Sequence, residues 1–147
     1  MTGDGAATSY AVSGFNISDS PVGTYDTRRD RMLVHYRDTV FIVDLQNPGA
    51  GATSFSLTQI SPDNSDGVFD YVEDTDQIIA WHPSNGKTVH FLDAGNIAAG
   101  WTSSSTSTLT PPSPVKSPYN KYRYIPGTGC LIGVGDDDQL AWAYRIP

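Results

Sequence analysis

A tyrosine, a polar turn and an apolar run recur three times along the chain, and this repeat limits the fold more than any other feature. The segments are Tyr25-Asp26-Thr27-Arg28-Arg29-Asp30-Arg31-Met32-Leu33-Val34, Tyr71-Val72-Glu73-Asp74-Thr75-Asp76-Gln77-Ile78-Ile79-Ala80 and Tyr124-Ile125-Pro126-Gly127-Thr128-Gly129-Cys130-Leu131-Ile132-Gly133. Their tyrosines lie 46 and 53 residues apart, and each apolar run begins seven residues after its tyrosine. A fixed period of this length marks stacked units of one supersecondary motif rather than a single irregular core.

Each segment is followed by a second run rich in β-branched and aromatic residues: Thr39–Asp44, Thr88–Asp93 and Leu140–Arg145. Such runs favour strands. Turn signals separate the two runs, namely Arg37-Asp38, Pro83-Ser84-Asn85-Gly86 and Gly135-Asp136-Asp137-Asp138, and Asn-Gly is a strong hairpin signal. A further match joins Ala52-Thr53-Ser54-Phe55-Ser56-Leu57 to Ala7-Thr8-Ser9-Tyr10-Ala11-Val12. In the second unit Trp101 and the Ser/Thr stretch to Thr110 supply an outer strand. The third unit runs out at Ile146-Pro147, so the chain begins with a strand of the type its last unit lacks.

The pattern therefore reads as all-β, with four antiparallel strands per unit: a first strand at the tyrosine, two central hairpin strands and an outer strand. The Tyr–turn–apolar element resembles kelch-like and related β-propeller repeats over roughly residues 6 to 146. It lacks the paired glycines of kelch repeats and the Trp-Asp of WD repeats. The resemblance implies three four-stranded blades, at about 20–60, 64–110 and 118–146, with a blade-completing N-terminal strand at about 6–15. The whole of 1–147 is then a single propeller arc. Propellers usually have four to eight blades. Three blades would leave two apolar sheet faces open, and a homodimer closing a six-bladed ring is the simplest remedy. Strand exchange between the two chains is expected, with residues 6–12 pairing against Leu140–Ile146.

Composition removes several function classes. The 147 residues are too few for a two-domain enzyme, and no stretch approaches the ~20 apolar residues of a membrane helix. Gly, Pro, Ser and Thr interrupt nearly every helical window, while apolar and aromatic residues run too evenly for a disordered chain. The net charge is −7, with 9 Lys plus Arg against 16 Asp plus Glu. That balance disfavours nucleic acid, whose phosphates need clustered cations. The one basic cluster, Arg28, Arg29 and Arg31, is interleaved with Asp26 and Asp30 and reads as a solvated turn. Cys130 is the sole cysteine and reads as a buried, inert thiol. No signal peptide is visible at the N-terminus, and Asn16-Ile17-Ser18 fits the short glycosylation acceptor pattern.

Loops held by a rigid scaffold are where binding residues concentrate. The loops between central strands supply the candidate ligand-binding residues Arg37, Asp38, His82, Asn85, Lys87, Asp136 and Asp137, with Asp138 and Gln139 beside them. Residues around Thr24, Phe69 and Arg123 are expected to face a central channel. Trp81, at the edge of a loop, is the candidate for stacking on a sugar ring, whereas Trp142 reads as core. Asp136-Asp137-Asp138 reads as a solvated acidic turn rather than a cation site. The partial EF-hand pattern at Asn64-Ser65-Asp66-Gly67 fails because Pro62 occupies its first ligand position. His35, His82 and His90 form no zinc spacing, and there is no Gly-x-Ser-x-Gly elbow. Thr110-Pro111-Pro112-Ser113-Pro114 reads as a connection between units.

These residues point to a non-enzymatic, self-assembling scaffold or binding module, with carbohydrate or protein as the candidate ligand. No catalytic residue, metal or cofactor is expected. Two further classes remain consistent with the sequence: a hydrolase or lyase whose channel site is duplicated by the dimer two-fold, and a structural virion or surface component.

Overall fold

The computed structural model describes residues 12–15, 17, 21–58, 68–81, 88–105, 122–133 and 142–145. The chain is all-β and forms three antiparallel sheets. The first contains β1 (Val22–Asp26), β2 (Arg31–Tyr36), β3 (Thr39–Asp44) and β4 (Thr53–Ser56) in chain order. The second repeats that order with β5 (Val68–Val72), β6 (Gln77–Trp81), β7 (Thr88–Asp93) and β8 (Trp101–Ser105). The third has β9 (Tyr122–Ile125), β10 (Cys130–Gly133) and β11 (Trp142–Arg145). Each repeated tyrosine lies one residue before the end of its sheet's first strand. Of the partner strand for β11 expected at residues 6–12, all but Val12 falls outside the described residues, and Val12 is not in a strand.

The four-residue turns after the tyrosines share one backbone solution. Asp30, Asp76 and Gly129 stand at the same place, five residues after the tyrosine, with φ of 47°, 55° and 63°. Left-handed backbone there brings the strand back into register, and Asp and Gly are among the residues that accept it most readily. A second repeated device follows the central hairpin. Asp44 and Asp93 accept hydrogen bonds from Gln46 N–H and Gly95 N–H at 2.9 and 2.7 Å. Short 3-10 turns at Pro48–Ala50 and Ile97–Ala99 then lead into Gly51 and Gly100, at φ 85° and 80°. Gly51 has a second constraint, because a Cβ there would meet Ser13 Oγ at 2.7 Å. That close approach lets Ala52 N–H donate to Ser13 O at 2.8 Å, and Phe15 and Ile17 pack over the first sheet.

Alternation gives every sheet a leading face, toward the next sheet, and a trailing face. The leading face of the first sheet (Val22, Leu33, Val40) packs on the trailing face of the second (Phe69, Tyr71, Ile78, Ala80, Leu92). The leading face of the second (Val68, Val72, Ile79, Trp81, Val89) packs on Tyr124 and Leu131 of the third. On the trailing face of the first sheet, Val34, Tyr36 and Phe41 are covered by Phe15 and Ile17, with the Phe15 and Phe41 rings 5.2 Å apart.

His35 lies in the first of these layers, 2 % exposed, stacked on Phe69 at 5.2 Å and edge-on to Trp101 at 5.7 Å. Its Nε2 and Trp101 Nε1 are buried with no hydrogen-bond partner among the described residues. Burial pushes His35 down to about 4, against a backbone hydrogen bond at Arg37 and the charge of Asp38. A depressed base is neutral in the folded chain while the unfolded chain takes up a proton. Its contribution is therefore intact above pH 6.5 and is lost as pH falls from 6.5 to about 4. The shift corresponds to a loss of ~3 kcal/mol. Half-buried His90 moves in the same direction by desolvation. Urea denaturation across this range should show that decline, and His35→Phe should remove most of it.

Candidate functional site

Two polar regions stand out from the apolar layers. One runs along the first strands. Aligned on the tyrosines, Thr24, Asp70 and Arg123 occupy the same position, immediately before Tyr25, Tyr71 and Tyr124. Thr24 Oγ1 accepts from Tyr71 N–H at 3.0 Å, and Asp70 Oδ2 accepts from Tyr124 N–H at 2.6 Å. In both cases the residue before one tyrosine accepts the backbone proton of the next. Asp70 Oδ1 also accepts from Thr24 Oγ1 at 2.8 Å and Tyr71 N–H at 3.0 Å, and Arg123 Nη1 approaches it at 3.8 Å. This carboxylate therefore touches all three sheets.

Two of the three residues expected to face a channel lie together. Thr24 and Arg123 line one cleft of 340 Å³ together with Gly23, Tyr25, Met32 and Leu45. Phe69 is a correction: it is 4 % exposed and stacks on His35 inside the first layer. Its neighbour Asp70 is the polar residue of the second sheet at this level. Alignment on the tyrosines identifies Asp70 directly, since Phe69 shares its position with Gly23 and Tyr122.

The basic cluster also needs correction. Asp26 is fully buried, and its carboxylate accepts from Arg28 N–H, Arg29 N–H, Arg29 Nη1 and Arg31 Nε at 2.8 to 3.2 Å. Arg29 continues to Asp76 of the second sheet at 2.8 and 2.6 Å. Arg28 donates to Glu73 O, and Arg31 to Ala94 O. The turn is a clamp between two sheets, not a solvated loop. The Arg29 hydrogen bonds pull the Asp76 carboxyl down to about 2, aided by Tyr71, whose hydroxyl burial and Asp76 together push upward. The third sheet lacks this clamp. There Tyr124 Oη donates to Asp74, and burial with that bond pushes the phenol up to about 12.

The second region is a 450 Å³ cleft at the β2–β3 turn, lined by Gly14, Tyr36, Arg37, Asp38, Thr39, Phe41, Ser54 and Ser56. It brings together two of the sequence-derived candidates, Arg37 and Asp38, and adds the β4 serines, which sequence reasoning missed. Ser54 and Ser56 alternate along a strand, so both side chains reach the same side. Arg37 has φ 57°, in the left-handed region, and its guanidinium lies 5.1 Å from the Tyr36 ring centroid. Holding a non-glycine residue there costs about 1–3 kcal/mol, a feature enriched at functional sites. Asp38 Oδ1 accepts from Thr39 Oγ1 at 3.0 Å. The lining offers guanidinium donors, a carboxylate acceptor and hydroxyls that do both, over the rings of Tyr36 and Phe41. Such a set suits a polyhydroxylated ligand. Among the described residues it presents one carboxylate, whereas glycoside hydrolysis uses a pair.

The other candidates separate from this cleft. Trp81 is 2 % exposed and packs between the second and third sheets, so it offers no ring face for a sugar. His82, Asn85, Lys87, Asp136 and Asp137 lie outside the described residues, as does the side chain of Trp142. Cys130 is half-buried rather than buried, with Sγ 3.5 Å from Thr128 O. No group of three His, Cys, Asp or Glu side chains suited to a metal occurs among the described residues. No described helix is long and apolar enough to cross a membrane.

Comparison with protein-family models, curated proteins and solved structures gave no match. The fold itself defines an all-β chain of three successive antiparallel sheets.

Asp70→Ala removes the acceptor for Thr24 and Tyr124 N–H and leaves buried donors unpaired. It should lower the unfolding free energy by roughly 3 kcal/mol or more, against about 1 kcal/mol for Thr24→Val. Urea titration of both variants checks the order.

Proposed function

We propose that the chain is half of a six-bladed β-propeller, a self-assembling and non-enzymatic scaffold whose turn-side cleft binds a polyhydroxylated ligand, carbohydrate being the best chemical fit. The observation that carries this reading is the repeated junction. Thr24 accepts the N–H of Tyr71, and one sheet later Asp70 accepts that of Tyr124. A step that recurs at the same position between successive antiparallel sheets generates a ring when it is continued, and closed rings are favoured over open arrays. Two chains of three sheets supply six blades, within the range propellers use.

The enzyme alternative draws less support from the same atoms. Asp70, the carboxylate of the first-strand column, already accepts three hydrogen bonds, which suits it to joining strands. Among the described residues, the lining of the turn-side cleft includes no histidine. A virion or surface component would use the same ring without the cleft, so ligand binding separates the two uses.

Light scattering at micromolar concentration should give twice the 15.8 kDa chain mass; a stable monomer overturns the ring. On a glycan array the wild type should bind at least one class of sugar. Asp38→Ala and Arg37→Gly should each weaken that binding about tenfold or more, as expected for the loss of about 1.5 kcal/mol or more of charge-assisted hydrogen bonding. Binding unchanged in both variants would remove the cleft from the reading.

A further inference from the structure

The three units place equivalent residues in inner and outer layers, so burial can be compared position by position. On trailing faces, the residue seven after the tyrosine is Met32, Ile78 or Leu131. Ile78 and Leu131 are 0 % and 2 % exposed, whereas Met32 is 43 % exposed. The tyrosines behave alike, with Tyr71 and Tyr124 at 5 % and 6 % and Tyr25 at 47 %. Leu45, the counterpart of fully buried Ala94, is 42 % exposed. On leading faces the residue eight after the tyrosine is Leu33, Ile79 or Ile132. The first two are fully buried and Ile132 is 38 % exposed. Ile125, the counterpart of buried Asp26 and Val72, is 37 % exposed.

All five exposed large hydrophobic side chains of the described chain therefore sit on two surfaces: the trailing face of the first sheet and the leading face of the third. Both internal junctions join a leading face to a trailing face, with Leu33 grouped with Ile78 and Ile79 with Leu131. From this we infer that the two exposed faces bind each other between two copies of this chain, head to tail, with Ile125 and Ile132 of one copy packed on Tyr25, Met32 and Leu45 of the other. This deepens the half-ring reading and rests on it.

The receiving face has the shape for such a contact. Phe15 and Ile17 cover its β2–β3 end. Together with Phe15 and Ile17, Met32, Val34, Val43 and Leu45 line an apolar groove of 540 Å³. The new junction differs from the internal ones at one position. Arg123 stands where Thr24 and Asp70 accept the next tyrosine's N–H, and arginine has no acceptor. The junction between copies is accordingly held by apolar packing rather than by the polar column. Two such heterologous contacts related by a two-fold axis close the assembly, with the β2–β3 end of each trailing face and its cleft left outside the contact.

Crosslinking tests the pairing independently of the mass. Met32→Cys and Ile132→Cys, each combined with Cys130→Ser, place single thiols at positions already exposed in the chain. A bis-maleimide reaching about 10 Å spans the separation of packed sheets. Co-expressed Met32→Cys and Ile132→Cys chains should yield a covalent dimer on a denaturing gel, while either variant alone should yield less than a tenth as much. Efficient crosslinking of a single variant would mean like faces meet, and no crosslink in the mixture would mean neither surface is the contact; each overturns the inference while a dimeric mass still upholds the half-ring. A monomeric wild type would instead remove the half-ring reading itself. A doubly substituted chain that crosslinks only within itself would overturn the inference as well.

Discussion

The three sheets depend on the carboxylate of Asp70. A sheet's edge strand carries backbone N–H groups with no ladder partner, and burying them unpaired costs free energy comparable to a lost hydrogen bond. Here the N–H groups of Tyr71 and Tyr124 point from one first strand toward its predecessor. Asp70 accepts both, and Thr24 shares the first. Apolar layers could slide along one another, since dispersion and burial are non-directional. The hydrogen bonds at this level are directional and set the height at which each sheet meets the next.

Beyond that column the two internal junctions are built differently. The first encloses Asp26 with the arginine clamp, and the second has Val72 at the equivalent place, within an apolar cluster. A buried carboxylate needs its partners, because removing one leaves an uncompensated charge. The clamp therefore gives the first junction specificity, with Arg29 reaching Asp76 only in one alignment. The second relies on Trp81, Tyr124 and Leu131, whose value comes from area removed from water. The two exposed faces, with Met32 on one and Ile132 on the other, carry side chains of the apolar kind.

Much of the architecture was legible because alternation and turn chemistry are local. The Tyr–turn–apolar repeat marked β1–β2, β5–β6 and β9–β10, and the second runs marked β3 and β7. The repeat Asp-x-x-Asn-x-x-Ala-Gly at 44–51 and 93–100 was equally available and would have located both 3-10 turns. The site was less legible. Arg37 and Asp38 were found because a two-residue hairpin turn displays its side chains, but Ser54 and Ser56 reach the same cleft only because β4 pairs with β3. Trp81 was misread because a residue beside a loop can still point inward at a strand's end. Arg28, Arg29 and Arg31 were misread because charge in a turn looks solvated until a neighbouring sheet supplies Asp76, Glu73 and Ala94.

The sequence by itself determined the units: their strands, their turns and their number follow from side-chain periodicity and from residues that accept left-handed backbone. Only the tertiary structure decided how the units meet. It placed Asp70 among three sheets, buried Asp26 and His35 in one layer, and left Met32 and Ile132 exposed where their counterparts are covered. The physical reason is range. Periodicity and turns depend on neighbours within a few residues, whereas the environment of a carboxylate or an isoleucine is set by residues about 50 positions away.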